Sequence, residues 1–241
     1  MPATTAVTDT AAMGTAQRTR GIEEQMRTLH DAVLDDLLLH DGTPLLDVGG
    51  TDRFRELATE RGAAATGVDE QAVHGHGSLP HADDTFSVVT VFDAFRFCGN
   101  GCRVALEAGR VARPGAPVVL ATWGRPERCE ATAYLRAMAA LLPSAAAPDP
   151  FALSDDGTLE AFALGGRLTP IERREVPCDW VFPDEASALR VLASTDVAVE
   201  AARAAGDSAV VGGIRHAIEP YATRDGGYGL ENTFTYLVAR A

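Results

Sequence analysis

The chain has 241 residues, of which 46% are hydrophobic, and its formal net charge is −13. This length and apolar content suit one α/β domain, alone or with a helical insert. So acidic a surface would repel phosphates, which argues against a nucleic acid partner. No apolar run reaches the ~20 residues that a membrane helix needs, so no membrane association is expected.

The first twenty residues are mostly small and polar. They lack the charged and apolar regions of a secretory signal, so a flexible N-terminal arm is predicted over residues 1–20 and the folded domain over residues 21–241. The four cysteines match no zinc signature, and a chain of this length needs no disulfide frame. A cytoplasmic protein with reduced thiols is therefore expected.

Apolar periodicity and turn residues predict an alternation of helices and strands. In chain order the patterns indicate a helix at 22–39, strands at 44–48 and 64–68 around a helix at 53–61, a strand at 87–92, a helix at 103–112, a strand at 117–123, helices at 127–142 and 154–165, a strand at 168–181, a helical stretch at 183–221 and a strand at 233–239. This alternation predicts a parallel sheet, and the last two strands, which flank the helical insert, suggest an antiparallel edge.

Several short strings, in this order and spacing, resemble the class I S-adenosylmethionine-dependent methyltransferases that act on small molecules. They are Leu46-Asp47-Val48-Gly49-Gly50-Thr51, Gly67-Val68-Asp69, the segment 79–89, the turn at 111–116, the segment 121–124 and the stretch from Tyr228 to Ala239. The resemblance implies an α/β fold of the Rossmann-like methyltransferase type, mostly parallel with an antiparallel last strand.

If the cofactor is retained, the resemblance places Asp47, Gly49, Gly50 and Asp69 around S-adenosylmethionine. A glycine turn lets backbone N–H groups approach a ligand. Asp69 lies twenty positions after Gly49, the spacing at which an acid accepts hydrogen bonds from ribose hydroxyls. The alternative for Asp69 is a solvated acid at the end of a strand.

The sequence departs from the family at two points. One residue is missing from the glycine motif, so Asp52 stands where the last glycine is expected. Asp52 would fill space beside the ligand and add negative charge, or it would cap the following helix. Only nine residues, 70–78, separate Asp69 from Leu79, too few for the family's helix and third strand. That strand is expected to be missing, and the cofactor to bind weakly, differently or not at all.

Polar residues after the predicted strands define a candidate cleft at the carboxyl edge of the sheet. Asp47 and Asp93 are the candidate catalytic bases, because each follows or ends a strand. Arg96 or Arg125 could hold an anion. Further candidate substrate-binding residues are Trp123, Tyr228, Glu231 and Asn232. For each of these residues, an ordinary surface ion pair or structural role is the alternative.

Three histidines, His74, His76 and His81, lie close together, and a His-x-His loop can bind a metal. No fourth ligand is evident, so a solvated glycine-rich loop is favoured and no metal is expected.

The resemblance, taken with the altered cofactor motifs, favours a methyltransferase-like enzyme of bacterial secondary metabolism that does not transfer methyl groups. The expected reaction is a cofactor-independent ring closure on a small amino-acid-derived intermediate, such as aziridine or azabicycle formation, with the insert at 183–221 covering the substrate. The alternatives are an active methyltransferase that uses S-adenosylmethionine and a non-catalytic partner subunit. Loss of the third strand would leave strand 64–68 as an edge, so a homodimer, a partner chain or the arm is expected to cover it.

Overall fold

The computed structural model describes residues 21–68, 78–100, 102–143 and 149–241. The chain divides into two compact units. We call the described residues of Arg27–Pro126, Pro148–Pro177 and Thr233–Ala241 the sheet unit. The other described residues, 21–26, 127–143 and 178–232, form the helical unit. The predicted arm at 1–20 and most of the short interval after Asp69 lie outside the described residues.

The described strands are β1 (Thr43–Val48), β2 (Ala63–Val68), β3 (Val88–Val91), β4 (Pro117–Trp123), β5 (Thr169–Pro177), β6 (Trp180–Phe182), β7 (Tyr228–Leu230) and β8 (Thr233–Arg240). Six of them form one sheet in the order β2-β1-β3-β4-β8-β5. The pairs among β1 to β4 are parallel, whereas β8 runs antiparallel to both β4 and β5. This is the Rossmann-like methyltransferase fold with an antiparallel last strand, as the sequence predicts.

The described α-helices are α1 (Arg27–Asp36), α2 (Asp52–Glu60), α3 (Arg103–Val111), α4 (Thr132–Ala139), α5 (Thr158–Gly165), α6 (Glu185–Leu192), α7 (Asp196–Ala205) and α8 (Asp207–Ile218). Three 3-10 helices lie at Ala94–Asn100, Pro126–Arg128 and Glu219–Tyr221. Strands β3 and β4 are buried along almost their whole length, which is why they read as continuous β-branched and apolar runs.

Alternation along the strands gives the sheet two faces. One face joins residues such as Leu46, Val89 and Leu120 to the apolar sides of α3 and α5 in a single core cluster. The opposite face carries Asp47 and Tyr236, whose polar atoms bond to residues of α2 and α1 respectively. Asp47 therefore lies under α2 and not within the apolar cluster.

Strand β2 forms one edge of the six-stranded sheet. It has three exposed residues, and within the described part of the chain it pairs with β1 alone. The expected loss of the family's third strand concerns residues 70–78, of which the structure describes only Ser78.

The structure corrects two predicted boundaries. The strand expected at 168–181 is two strands in different sheets, because β5 ends at Pro177 and the Cys178 N–H bonds to the Asn232 carbonyl. The helix expected from residue 154 begins only at Thr158, after Gly157 with φ +79°. The last strand, β8, begins at Thr233 as predicted, whereas Tyr228 lies on β7, which pairs with β6.

In the helical unit, the stretch predicted as helical at 183–221 consists of α6, α7 and α8. Thr195 caps the start of α7, and Gly206, with φ +87°, separates α7 from α8. The buried Tyr134 hydroxyl on α4 donates to the Leu192 carbonyl over 2.9 Å and also contacts Thr195. None of the helices in the described ranges is both long and apolar enough to cross a membrane.

Candidate functional site

Asp47 lies one residue before the end of β1, in register with Thr90 on β3. Its side chain is fully buried. Oδ1 accepts a hydrogen bond from the Thr90 hydroxyl over 3.0 Å, and Oδ2 accepts one from Nη1 of Arg55 over 2.9 Å. Both carboxylate oxygens are therefore bonded inside the protein.

Arg55 reaches this carboxylate from the first turn of α2. Thr51, not Asp52, caps that helix, because its hydroxyl accepts from the Phe54 N–H over 3.2 Å. Asp52 is the first helical residue, 79% exposed, and its carboxylate contacts Nη2 of Arg55. The guanidinium thus lies between a buried carboxylate and an exposed one. The prediction that Asp52 caps the helix is wrong.

The glycines of the motif accommodate this ion pair. Gly49 has φ +69°, and its N–H donates to the Val68 carbonyl over 3.1 Å. A Cβ on Gly50 would lie 2.1 Å from Oδ1 of Asp47. A Cβ on Gly67 of β2 would lie 2.8 Å from Cζ of Arg55. Glycine is therefore favoured at positions 50 and 67, because a side chain would clash with Asp47 at the first and with Arg55 at the second.

Burial raises the pKa of Asp47 to about 7, although Arg55 and the Thr90 hydroxyl oppose that shift. A carboxyl group with this pKa can hold or release a proton near neutrality, which is what general acid–base chemistry requires. Because Asp47 has no exposed surface, a substrate could contact it only if Arg55 moved.

Asp93 follows β3 and differs from Asp47 in accessibility. Its backbone has φ +50°, a left-handed conformation that is unusual outside glycine, asparagine and aspartate. Its carboxylate lies 3.3 Å from Nε of Arg96, and the two side chains are 35% and 27% exposed. The Arg96 guanidinium also lies 5.8 Å from the centre of the Phe95 ring. The structure therefore places a partly exposed carboxylate and a guanidinium side by side after β3.

Trp123 ends β4 and is buried, with its ring 4.4 Å from that of Phe234 and 6.1 Å from that of Phe151. Arg125 follows it and contacts the exposed carboxylate of Asp156. Trp123 therefore belongs to an aromatic cluster at the end of β4, and Arg125 is a half-exposed cation two residues further along the chain.

The remaining predicted residues belong to the helical unit. Asn232 is buried, and its side chain accepts from the Ala131 N–H over 3.0 Å and donates to the Leu230 carbonyl over 3.1 Å. The Glu231 N–H donates to the Glu130 carboxylate over 2.6 Å. Tyr228 lies on β7, opposite Phe182. These bonds order the segment before β8, and substrate contacts by these residues stay predictions.

Sequence reasoning missed Arg55 and Thr90. The signal for Arg55 was its position three residues after Asp52, which puts both on one side of a helix. Thr90 carried no sequence signal, since only the strand register places it beside Asp47.

Sequence reasoning also missed a buried histidine, His30 on α1. Its ring makes edge-on contacts with Phe54 and Phe92, with centroids 5.4 Å and 5.3 Å away. Burial lowers the pKa of His30 to about 4. The imidazole is therefore neutral at physiological pH and belongs to the packing around the ends of β1 and β3.

In the described ranges, no three His, Cys, Asp or Glu side chains are arranged to hold a metal ion. His74 and His76 lie outside the described residues, whereas the His81 ring packs edge-on against Phe86 at 5.0 Å.

The cofactor implied by the fold can be tested against the glycine turn. Three polar groups at this turn, namely both oxygens of Asp47 and the N–H of Gly49, bond within the protein. Asp52 adds a carboxylate at the start of α2, whose own partner is Arg55. This part of the turn does not fit S-adenosylmethionine as the family motif implies. Asp69, predicted to bind the ribose, lies outside the described residues.

No protein-family model and no curated protein matches the chain. Solved structures do match it. A protein assigned as a methyltransferase from Bacillus halodurans is 12% identical over 88% of this chain and 97% of its own, with a TM-score of 0.54. A chain of a Haloferax volcanii complex, which pairs a methyltransferase activator with a protein assigned as a methyltransferase, is 15% identical over 94% and 95%, with a TM-score of 0.55.

The [4+2]-cyclase SpnF is 17% identical over 88% of this chain and 79% of its own, with a TM-score of 0.50. At these identities the likeness concerns the fold alone. The chain therefore has the fold of class I methyltransferases, a fold that is also found in a cyclase.

Proposed function

We propose that this chain is an enzyme of bacterial secondary metabolism that uses a methyltransferase fold for a reaction other than methyl transfer. The reaction would be an intramolecular ring closure on a small amino-acid-derived substrate, without S-adenosylmethionine. The observation that carries the proposal is the inward-facing cluster of Asp47, Arg55 and Thr90, which uses the acid of the glycine motif for an internal ion pair. The shared fold of the [4+2]-cyclase supports it, since that protein is a cyclase on this scaffold.

Asp93 and Arg96 suit the chemistry of such a closure. An amine attacks a carbon that bears a leaving group, so that an N–C bond forms while the leaving group departs with its electron pair. The ammonium proton passes to the Asp93 carboxylate, and Arg96 or Arg125 holds the departing anion or a substrate carboxylate. In its sharpest form the product is an aziridine or an azabicycle.

The pairing of Asp93 with Arg96 favours a substrate that carries both charges. An ammonium and an anion on one small molecule could replace the internal ion pair with two intermolecular ones, so that neither protein charge loses its partner. Holding the amine close to the carbon it attacks can lower the barrier by ~7–11 kcal/mol when the geometry is maintained. Asp47 remains a second predicted base, which would require Arg55 to move.

An active methyltransferase is the main alternative, and the fold similarity together with the retained Gly49-Gly50 turn favours it.

A non-catalytic subunit is the second alternative. It agrees with the three exposed residues of β2, an edge that we propose is covered by a second copy, a partner chain or the N-terminal arm. Native mass spectrometry of the purified chain would detect a stable oligomer.

Product masses separate the first two functions. The protein would be incubated with the small-molecule fraction of the organism that encodes it, with and without added S-adenosylmethionine. Ring closure by displacement predicts a product that has lost the leaving group and a proton, in both reactions. A product that gains a methyl mass, and only when the cofactor is present, would establish the methyltransferase instead.

A further inference from the structure

We propose that Arg55 is an internal cation that occupies the place of a ligand's cationic group beside Asp47, so that removal of its guanidinium opens the glycine turn to S-adenosylmethionine. This inference rests on the proposed function, because it explains why a chain with this fold would not use the cofactor.

The first argument is electrostatic. A fully buried carboxylate is costly unless a cation or several hydrogen-bond donors compensate it. Asp47 lies near the carboxyl end of β1 beside the glycine turn, the edge at which open α/β sheets bind their ligands. Its partner here is Arg55, whose side chain is only 26% exposed. The cation that this position needs is therefore supplied from within the chain.

The second argument is steric. The guanidinium lies so close to Gly67 that any side chain there would press on it, and its Nη1 also approaches the Gly50 carbonyl at 3.4 Å. Asp52 contacts its other side. Four positions, Gly50, Asp52, Arg55 and Gly67, thus fit one another around a single internal cation. The space that the guanidinium fills lies between the ends of β1 and β2.

The third argument concerns the ligand. S-adenosylmethionine carries two cationic groups, a sulfonium and an ammonium, and either would compete with Arg55 for the carboxylate of Asp47. A ligand without a cation, such as adenosine, could not form an ion pair with that carboxylate. A gain in affinity for S-adenosylmethionine alone would therefore indicate that this site has opened. A gain in affinity for both ligands would indicate a general loosening of the turn.

The test is isothermal titration calorimetry with S-adenosylmethionine as the probe and adenosine as its uncharged control. The proteins are the wild type, Arg55→Ala, Arg55→Gln, Arg55→Lys and the double variant Asp47→Asn/Arg55→Ala. Circular dichroism and thermal unfolding establish that each is folded. Arg55→Gln keeps an N–H donor for Asp47, so it provides a folded protein without the cation if Arg55→Ala does not fold.

The expected result is a dissociation constant for S-adenosylmethionine at least about tenfold lower in Arg55→Ala or Arg55→Gln than in the wild type. Arg55→Lys and the double variant should resemble the wild type, because one keeps a cation and the other loses the anion. The dissociation constant for adenosine should be similar in all five proteins.

The inference is overturned if folded Arg55→Ala or Arg55→Gln binds the cofactor no better than the wild type, or if adenosine gains as much as S-adenosylmethionine. A wild type that already binds with a micromolar constant would instead overturn the proposed function, so the two failures are distinguishable.

Discussion

Arg55 donates from Nη1 to Oδ2 of Asp47 over 2.9 Å, although Asp47 has no exposed surface. This bond joins the start of α2 to the end of β1, and the Thr90 hydroxyl joins the same carboxylate to β3. The turn between β1 and α2 is thus held by polar contacts to two other elements of the sheet unit.

The raised pKa of Asp47 predicts that its ionisation destabilises the fold. The folded pKa is about 7 against an ordinary 3.8, so this contribution to stability is complete below about pH 4 and is lost as the pH rises through 7. Between pH 4 and pH 8, Asp47→Asn should gain roughly 3 kcal/mol in unfolding free energy relative to the wild type. Urea denaturation followed by circular dichroism measures this difference.

Asp52→Asn is the matched control for that measurement, because Asp52 contacts the same guanidinium but is exposed. The pH-dependent gain in stability should therefore be larger for Asp47→Asn than for this control, because only Asp47 is buried. A difference for Asp47→Asn that does not depend on pH would contradict the assignment.

The lowered pKa of His30 predicts the opposite trend. The folded pKa is about 4 against an ordinary 6.5, with Asp31 and Arg53 as the charged neighbours that modify the effect of burial. Stability from the neutral ring is present above pH 6.5 and is lost as the pH falls towards 4. His30→Phe should therefore gain roughly 3 kcal/mol relative to the wild type between pH 7 and pH 4.

The exposed His216, replaced by Gln, is the control for His30→Phe. The same urea denaturation series gives the difference in unfolding free energy between each variant and the wild type. The burial argument is refuted if this difference depends on pH in the same way for both histidine variants.

The fold could be predicted because β1, β3 and β4 are apolar runs whose composition reflects burial on both faces, and because β8 alternates as a strand. The break at Pro177 could not be predicted, since it depends on the pairing of the Cys178 N–H with the distant Asn232 carbonyl. The start of the last strand at Thr233 was predicted, because the residues after it alternate as in a strand. The glycine motif indicated where the site lies. The inward orientation of Asp47 was not predictable, because it depends on Arg55 crossing to Gly67 and on the register with Thr90.

The Asp93 carboxylate is the more accessible candidate base, and Asp93→Asn should lower turnover by ~10²-fold or more. Asparagine tolerates the same left-handed backbone conformation, so the turn after β3 should be preserved. Asp47→Asn is the second variant, and at least one of the two should show this loss with the fold intact. Product formation would be followed by mass spectrometry.

Asp83→Asn serves as the control for the loss of a carboxylate, since Asp83 is an exposed acid that pairs with Arg110 before β3. If turnover in both Asp47→Asn and Asp93→Asn stays within a few-fold of the wild type, neither aspartate acts as the acid or base.

Gly50→Ala tests the packing of the turn directly. Its Cβ would lie 2.1 Å from a carboxylate oxygen that is itself fixed by Thr90, so the variant should lose about 1–3 kcal/mol of stability. Gly212→Ala on α8 meets no heavy atom within 4 Å and should be neutral or up to about 1 kcal/mol more stable. Equal thermal shifts for the two variants would mean that Asp47 does not constrain Gly50.

Calorimetric titration of the wild-type chain with S-adenosylmethionine tests the central claim most directly. If Asp47 is committed to Arg55 and the enzyme does not transfer methyl groups, no saturable binding should be seen below about millimolar concentration. A dissociation constant in the micromolar range would contradict this claim and would favour the alternative function, methyl transfer from S-adenosylmethionine.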